Sequence, residues 1–279
     1  MTFTIRSMKA HDLAQGHALS QQLGWSNRLE DWQDAFRLGQ GMVIEQAGKV
    51  VATALYWCWG ARVASVGLVI VKEALRGQGF GKALFRALME KLDGYSVRLH
   101  ATPEGRALYE KFGFVVTGCV YQYQGLLAMT TPCLPRTGMR LRPGHVADIA
   151  TLAALDYQAS GMQRDALIAG LLRDYPLSVL ENAQGKMLGF AVLRRFGRGY
   201  MLGPLVCPQP DDARALCSVL FAEITNTFVR IDSQGEIDDW LAAQGLALVD
   251  RPVMMVRGET WQPAHNAPRS FALVTQAMG

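Results

Sequence analysis

No apolar run in the sequence approaches the ~20 residues that a bilayer-spanning helix requires. The densest one, Val63–Val71, has the length of a strand and contains Ser65 and Gly67. Cysteine is sparse: Cys58, Cys119, Cys133, Cys207 and Cys217 are an odd number without close pairing. They fit neither a disulfide framework nor a zinc site, so reduced thiols and no metal are expected. The opening residues Met-Thr-Phe-Thr-Ile-Arg lack a basic region followed by an apolar stretch. No secretory leader is read there, and a cytoplasmic protein with no membrane partner is expected. A basic cluster interleaved with aromatics is not read either, so nucleic acid is not expected as a partner.

What is present suits folded domains. Half of the 279 residues are hydrophobic and 19% are charged, enough apolar material for two cores and too much for a disordered chain. The charge is uneven. Residues 1–139 hold 15 Lys and Arg against 10 Asp and Glu; residues 140–279 hold 13 against 14. The positive surplus lies in the first half, where it suits a phosphate-bearing small ligand.

A repeat runs through the chain. Gly-Lys-Val-Val-Ala-Thr-Ala-Leu (48–55) with Ala-Ser-Val-Gly-Leu-Val-Ile-Val (64–71) recurs as Gly-Lys-Met-Leu-Gly-Phe-Ala-Val (185–192) with Gly-Tyr-Met-Leu-Gly-Pro-Leu-Val-Cys (199–207). Ile5-Arg6 and Asp12-Leu13 return 136 residues later as Leu141-Arg142 and Asp148-Ile149. Lys-Phe-Gly-Phe-Val-Val (111–116) parallels Ala-Gln-Gly-Leu-Ala-Leu (243–248). Two domains are expected, 1–130 and 139–279, joined by the Pro/Thr/Gly-containing stretch 130–138.

In the first half, apolar spacing predicts helices over 10–23 and 29–38 and a hairpin of Met42–Gln46 and Val50–Trp59, turning at Ala47-Gly48. Val63–Val71 and Ser96–Ala101 read as strands. Between them Gly81–Leu92 reads as a helix, with Leu84, Leu88 and Leu92 on one face. Thr102, Pro103 and Glu104 open the next helix as cap, first-turn proline and dipole-compensating acid. Gly113 ends it, and Phe114–Tyr123 is predicted as one last strand. The expected class is mixed α/β (α+β).

The most informative segment is Arg76-Gly77-Gln78-Gly79-Phe80-Gly81-Lys82, between a buried strand and a helix. Glycines let amide N–H groups turn inward, and the helix start adds unpaired donors and a positive dipole end, a combination that holds a pyrophosphate. The alternative is a tight turn with glycines for sterics alone. A P-loop fails because Arg76 stands where a glycine is needed and Ala83 where a hydroxyl is needed. A dinucleotide fingerprint fails on its glycine spacing and on the missing acid ~20 residues further on.

Residues 66–84 resemble the coenzyme A signature of the GCN5-related N-acetyltransferases (GNAT), R/Q-x-x-G-x-G/A, with Arg76, Gly79 and Gly81 in its fixed places. The preceding strand, the following helix and Ala-Leu-Tyr-Glu-Lys-Phe-Gly-Phe (107–114) match in order and spacing, so the resemblance spans residues 3–125. The second half resembles a less regular GNAT-like domain through Gly203-Pro204-Leu205, Ile231-Asp232, Gly245-Leu246 and Met254–Gly258. The implied fold is two tandem GNAT-like acyl-CoA N-acyltransferase domains, each a mixed, mostly antiparallel sheet flanked by helices, the second degenerate.

The resemblance implies acetyl-CoA as cosubstrate and a primary amine of a small molecule or peptide as acceptor. It sets the pantetheine arm against backbone groups of Val69, Ile70 and Val71, where strands 63–71 and 96–101 splay. The pyrophosphate falls on amides of Gly77, Gln78, Gly79, Phe80, Gly81 and Lys82, and the acetyl carbonyl at an N–H near Leu68 or Val69. Tyr109 stands where many family members keep a general acid beside the sulfur; the alternative is a core aromatic next to Leu108 and Phe112. His100, at a strand end, is a candidate base with an ordinary pKa near ~6.5. Glu45 is a second candidate, and a water chain a third. Acceptor recognition is expected from Trp25, Asn27 and Asp31, with a buried anchor and a helix-start acid as the alternatives for Trp25 and Asp31.

At the place of the glycine loop the second half reads Leu-Val-Cys-Pro-Gln-Pro-Asp-Asp-Ala-Arg (205–214). Pro208 and Pro210 remove amide donors, and Asp211 and Asp212 occupy the helix start. No tyrosine stands in Ile237–Ala243. One acetyl-CoA per chain is therefore expected, in a monomer or homodimer, the second domain shaping the acceptor pocket or an interface. The opposing reading is a non-catalytic acyl-CoA-binding or sensing module.

Overall fold

The computed structural model describes residues 3–128 and 132–279. Thr130 and Thr131 of the expected linker, and Met1 and Thr2 of the segment read for a leader, lie outside the described residues. The first elements are β1 (Thr4–Ser7), α1 (Leu13–Gln22), α2 (Leu29–Leu38), β2 (Gln40–Gln46), β3 (Lys49–Trp59) and β4 (Val63–Val71). Next come α3 (Phe80–Lys91), β5 (Ser96–Ala101), α4 (Pro103–Glu110), β6 (Val115–Cys119) and β7 (Tyr121–Leu126). Then follow β8 (Met139–Pro143), α5 (Ile149–Ser160), α6 (Asp165–Asp174), β9 (Leu177–Asn182), β10 (Met187–Phe196) and β11 (Gly199–Cys207). The last are α7 (Pro210–Phe221), β12 (Phe228–Ser233), α8 (Asp238–Ala243), β13 (Ala247–Asp250), β14 (Val253–Arg257) and β15 (Arg269–Ala272).

Two compact units result. One holds the chain up to Thr117 together with Val253–Glu259; the other holds Gly118–Pro252 and Thr260–Ala277. The first sheet has the order β1-β2-β3-β4-β5-β14-β6 and the second β13-β7-β12-β15-β11-β10-β9-β8. β4 and β5 pair in parallel in the first sheet and β11 and β12 in the second. Matched by the repeat, the two orders are the same, except that β14 and β7 have changed places and β15 is added between β11 and β12. The units therefore differ from the sequence segments 1–130 and 139–279 by one exchanged strand each.

That exchange explains why the single strand expected over Phe114–Tyr123 is two. Buried Val120 donates its amide to the Pro252 carbonyl at 3.0 Å, and there the chain leaves the first sheet for the second. Apolar residues stand on both sides of the break, Val115 and Val116 before it and Tyr121 and Tyr123 after it, so the pattern gave no sign of it.

In the first unit α3 lays Phe80, Leu84, Phe85 and Leu88 against Met42, Ile44, Ala54, Val66 and Val97. Trp32 and Trp57 are fully buried, their indole N–H groups donating to Ser20 Oγ and the Ala35 carbonyl. Contrary to the expectation of no basic run interleaved with aromatics, the second unit carries one, Arg194 to Tyr200, and folds it into stacked pairs. Arg195 lies 4.4 Å over Tyr200 and Arg198 4.7 Å over Phe228.

The repeat extends to an ion network. Arg6 donates to Asp12 at 2.7 and 2.8 Å and to Glu45 at 2.8 Å. Arg142 does the same for Asp148 at 2.7 and 3.0 Å and for Glu181 at 2.9 Å. Each aspartate also accepts the amide three residues before it, from Lys9 and His145, at 2.8 Å. Glu45, a candidate base, thus has its carboxylate engaged by Arg6.

Arg6 holds the Asp12 carboxyl below the usual carboxylate range, as Arg142 does for Asp148. A depressed folded pKa stabilises the fold above the unfolded value, about 3.9, and that contribution is lost as pH falls through the folded value. Urea midpoints are therefore expected to drop as pH is lowered from about 5. Asp12→Asn is expected to lose about 2 kcal/mol at pH 7 and to flatten the acid slope; an unchanged neutral midpoint would contradict the network. Expressed separately, residues 1–130 and 139–279 each lack an interior strand of their sheet. They are expected to aggregate alone and to be recovered soluble together, and a cooperatively unfolding single half would contradict the exchange.

Candidate active site

The site begins where β4 and β5 part. Their parallel register runs from Val63↔Ser96 to Val66↔Leu99 and stops, although the strands continue to Val71 and Ala101. β4 stays on β3 throughout: Leu55 faces Gly67 and Thr53 faces Ile70, so Leu68 and Val69 oppose Ala54 alone. This is a β-bulge, which bends the strand that carries it. Leu68 has φ +51°, in the left-handed region that non-glycine residues seldom adopt. Thr53 Oγ1 donates to the Leu68 carbonyl at 2.9 Å and holds it there. The result is a notch with the main chain of Gly67–Val71 along one wall. On the far edge of β5, partly buried His100 faces Met254 of β14.

The glycine loop follows directly. Gly77 and Gly79 have φ +75° and +86°, and a Cβ at either would meet no atom within 4 Å. Gly79 precedes α3, whose first intrahelical bond runs from the Ala83 amide to the Gly79 carbonyl at 3.0 Å. The amides of Phe80, Gly81 and Lys82 stand ahead of that bond, at the positive end of the helix dipole. Arg76, Gly77, Gln78, Gly79 and Lys82 are exposed. Phe80 is buried with its ring 4.9 Å from Phe3, so it offers the loop an amide only. A Cβ on Gly81 would lie 3.5 Å from Val71 and 3.7 Å from Leu108, so the end of β4, the loop and α4 meet at this glycine.

These features fit acetyl-CoA. Open glycine backbone, helix-start amides and two exposed cations suit a pyrophosphate. The bulged strand offers backbone groups to an extended amide chain. Among the described residues, no group of three or more His, Cys, Asp or Glu could hold a metal ion, and no helix is long and apolar enough to cross a membrane.

α4 starts as its sequence predicts, with Thr102 Oγ1 accepting the Gly105 amide at 3.3 Å and Pro103 in the first turn. It carries Tyr109, 7% exposed, with ring centroids 5.0 Å from Phe85 and 6.1 Å from Phe114. Burial pushes its phenol well above the ordinary range.

The acceptor candidates sit around the start of α2. Trp25 is half-buried, and the Asn27 carbonyl accepts from His17 Nε2 at 2.9 Å and Gln21 Nε2 at 2.7 Å. Asp31 accepts the Arg28 amide at 2.8 Å and its guanidinium at 2.7 Å, capping α2, the helix-start role named as its alternative. Sequence reading missed Thr53. Its one signal is a hydroxyl within the apolar run Val-Val-Ala-Thr-Ala-Leu, since a buried hydroxyl must find a partner.

The second unit has no such loop. α7 opens with Pro210 in its first turn, and fully buried Asp212 is held by Arg136 through two contacts of 2.8 Å.

Family profiles described as "Acetyltransferase (GNAT) domain" match residues 37–116 and 152–268. YitH of Bacillus subtilis (strain 168), named an uncharacterized N-acetyltransferase, is 27% identical over 238 residues, 84% of this chain and 82% of its own. A proposed acetyltransferase of Pyrococcus horikoshii shares the fold with a TM-score of 0.77 at 20% identity, over 99% of this chain and 96% of its own. A tandem GNAT protein from the clavulanic acid biosynthesis pathway gives 0.64 at 15% identity, over 93% and 100%. The two matched segments fall on the two copies of the repeat, and the chain belongs to the GNAT acetyltransferase family as two such domains in tandem.

Proposed function

We propose that this chain is an acetyl-CoA-dependent N-acetyltransferase, with its chemistry in the first unit and a primary amine of a small molecule or peptide as acceptor. The observation that carries the reading is the parting of β4 from β5 at the Leu68 bulge, immediately ahead of the glycine loop. In this reading the amides from Gly77 to Lys82, with Arg76, hold the pyrophosphate, and Val69, Ile70 and Val71 pair with the pantetheine arm. The bound thioester supplies an acyl carbon open to attack by a neutral amine. An N–H at Leu68 or Val69, fixed by the bulge, faces the acyl oxygen and stabilises the charge that develops on it. Tyr109, whose phenol carries its proton at neutral pH, is the donor toward the departing sulfur in this reading. His100, near the end of β5, is the candidate base. On the acceptor side Trp25 and Asn27 form the wall, and Asp31 acts by fixing the start of α2.

Two substitutions separate binding from chemistry. Gly79→Val adds a branched side chain at φ +86°, on the side where the phosphates approach. Calorimetry with CoA is expected to show at least about a tenfold loss of affinity, ~1.4 kcal/mol. Unchanged affinity in a folded variant would remove the loop from the site. Tyr109→Phe keeps the packing ring and deletes the hydroxyl; turnover is expected to fall about 10- to 100-fold with CoA affinity nearly kept. Equal turnover would leave Tyr109 a packing residue. A broad amine panel with acetyl-CoA tests the reading as a whole: acetylation of one class of amine is expected, whereas CoA binding without turnover on any amine would make this a binding or sensing module.

A further inference from the structure

The second unit repeats the parting of strands and then fills it. β11 and β12 pair in parallel from Tyr200↔Val229 to Leu202↔Ile231 and go no further, 136 residues beyond the point where β4 and β5 separate. Into that opening comes β15. It runs antiparallel to β11 through Leu205↔Ala272, Val206↔Ser270 and Cys207↔Arg269, and meets β12 at Ser233↔Ala272. Leu205, Val206 and Cys207 stand 136 residues after Val69, Ile70 and Val71, the residues assigned above to the pantetheine arm.

Both walls of the opening bond to the inserted chain. The Leu273 amide donates to the Asp232 carbonyl and the Gln234 amide to the Phe271 carbonyl, each at 3.0 Å. Phe271, Ala272, Leu273 and Val274 are all buried. Gly203, the counterpart of Gly67, comes so close that a Cβ there would lie 2.0 Å from the Leu273 carbonyl oxygen. Further along, Arg194 donates to the Val274 carbonyl at 2.8 Å. Buried Arg164, held by Asp156 through contacts of 2.6 and 2.8 Å, donates to the Gly279 carbonyl at 2.5 Å.

We propose that residues 269–274 are a built-in occupant of the second unit's acyl-CoA notch. Main-chain groups of the protein take the place on β11 that the pantetheine amides take on β4, so the second unit is self-liganded and binds no acyl-CoA. The inference rests on the reading of the first unit as the acyl-CoA site. The other end of the notch agrees with it, because Asp212 and Arg136 already neutralise each other at the start of α7, and Pro210 offers no N–H there.

Hydrogen exchange read by mass spectrometry on the full chain, with and without CoA, tests this together with calorimetry. Without CoA, amides of 205–207 and 269–274 are expected to exchange slowly, as core strands do. Adding CoA is expected to protect 67–71 and 77–82, to leave 205–207 and 269–274 unchanged, and to saturate near one CoA per chain. Rapid exchange of 269–274 without CoA, its deprotection by CoA, or a stoichiometry near two would overturn the proposal. A wild-type chain that binds no CoA would defeat the reading of the first unit, and the exchange of 269–274 without ligand would still decide the occupant.

Discussion

A single side-chain hydrogen bond, from Thr53 Oγ1 to the Leu68 carbonyl, lies where the architecture of the first unit turns. Without a bulge, β4 and β5 would continue as a parallel pair to their ends and leave no opening. The left-handed backbone at Leu68 costs about 1–3 kcal/mol. A net hydrogen bond returns only about 0.5–1.5 kcal/mol, so Thr53 alone does not sustain the bulge. Antiparallel pairing to β3 on both sides of it supplies the rest, through Leu55↔Gly67 and Thr53↔Ile70. The strain is thus stored in a strand that its neighbour anchors, beside the glycine loop that the proposed chemistry uses.

The second unit has the same opening with a different outcome. Both units keep the Arg–Asp–Glu network at the start of the fold, because it ties two strands and a helix start together whatever the site does. They differ where a ligand would act. α3 begins with glycines and amides ahead of its first intrahelical bond, whereas α7 begins with a proline and a buried aspartate paired to Arg136. An unfilled split between strands leaves main-chain polar groups facing a cleft. β15 pairs with both strands in the second unit; in the first, this is where the proposed acyl-CoA would bind.

Strand exchange binds the two copies of the repeat more closely than a linker does. β14 lies between β5 and β6, and β7 between β12 and β13, so each sheet has an interior strand from the other half of the sequence. Loss of an interior strand exposes two rows of backbone donors and acceptors, a larger penalty than loss of an edge strand.

Much was legible from the residues themselves. The strands Val63–Val71 and Ser96–Ala101, the helix 29–38, the capped start at Thr102 and the glycine loop depend on neighbours a few positions apart, and local spacing and capping chemistry report them directly. The duplication was legible for the same reason, since equal local needs conserve equal local patterns. The break at Val120, the bulge held by Thr53 and the insertion of β15 were decided by the tertiary structure. An apolar stretch satisfies its own pattern on either sheet. Which backbone pairs with which is a contest among segments far apart in sequence, and only the folded chain contains the outcome.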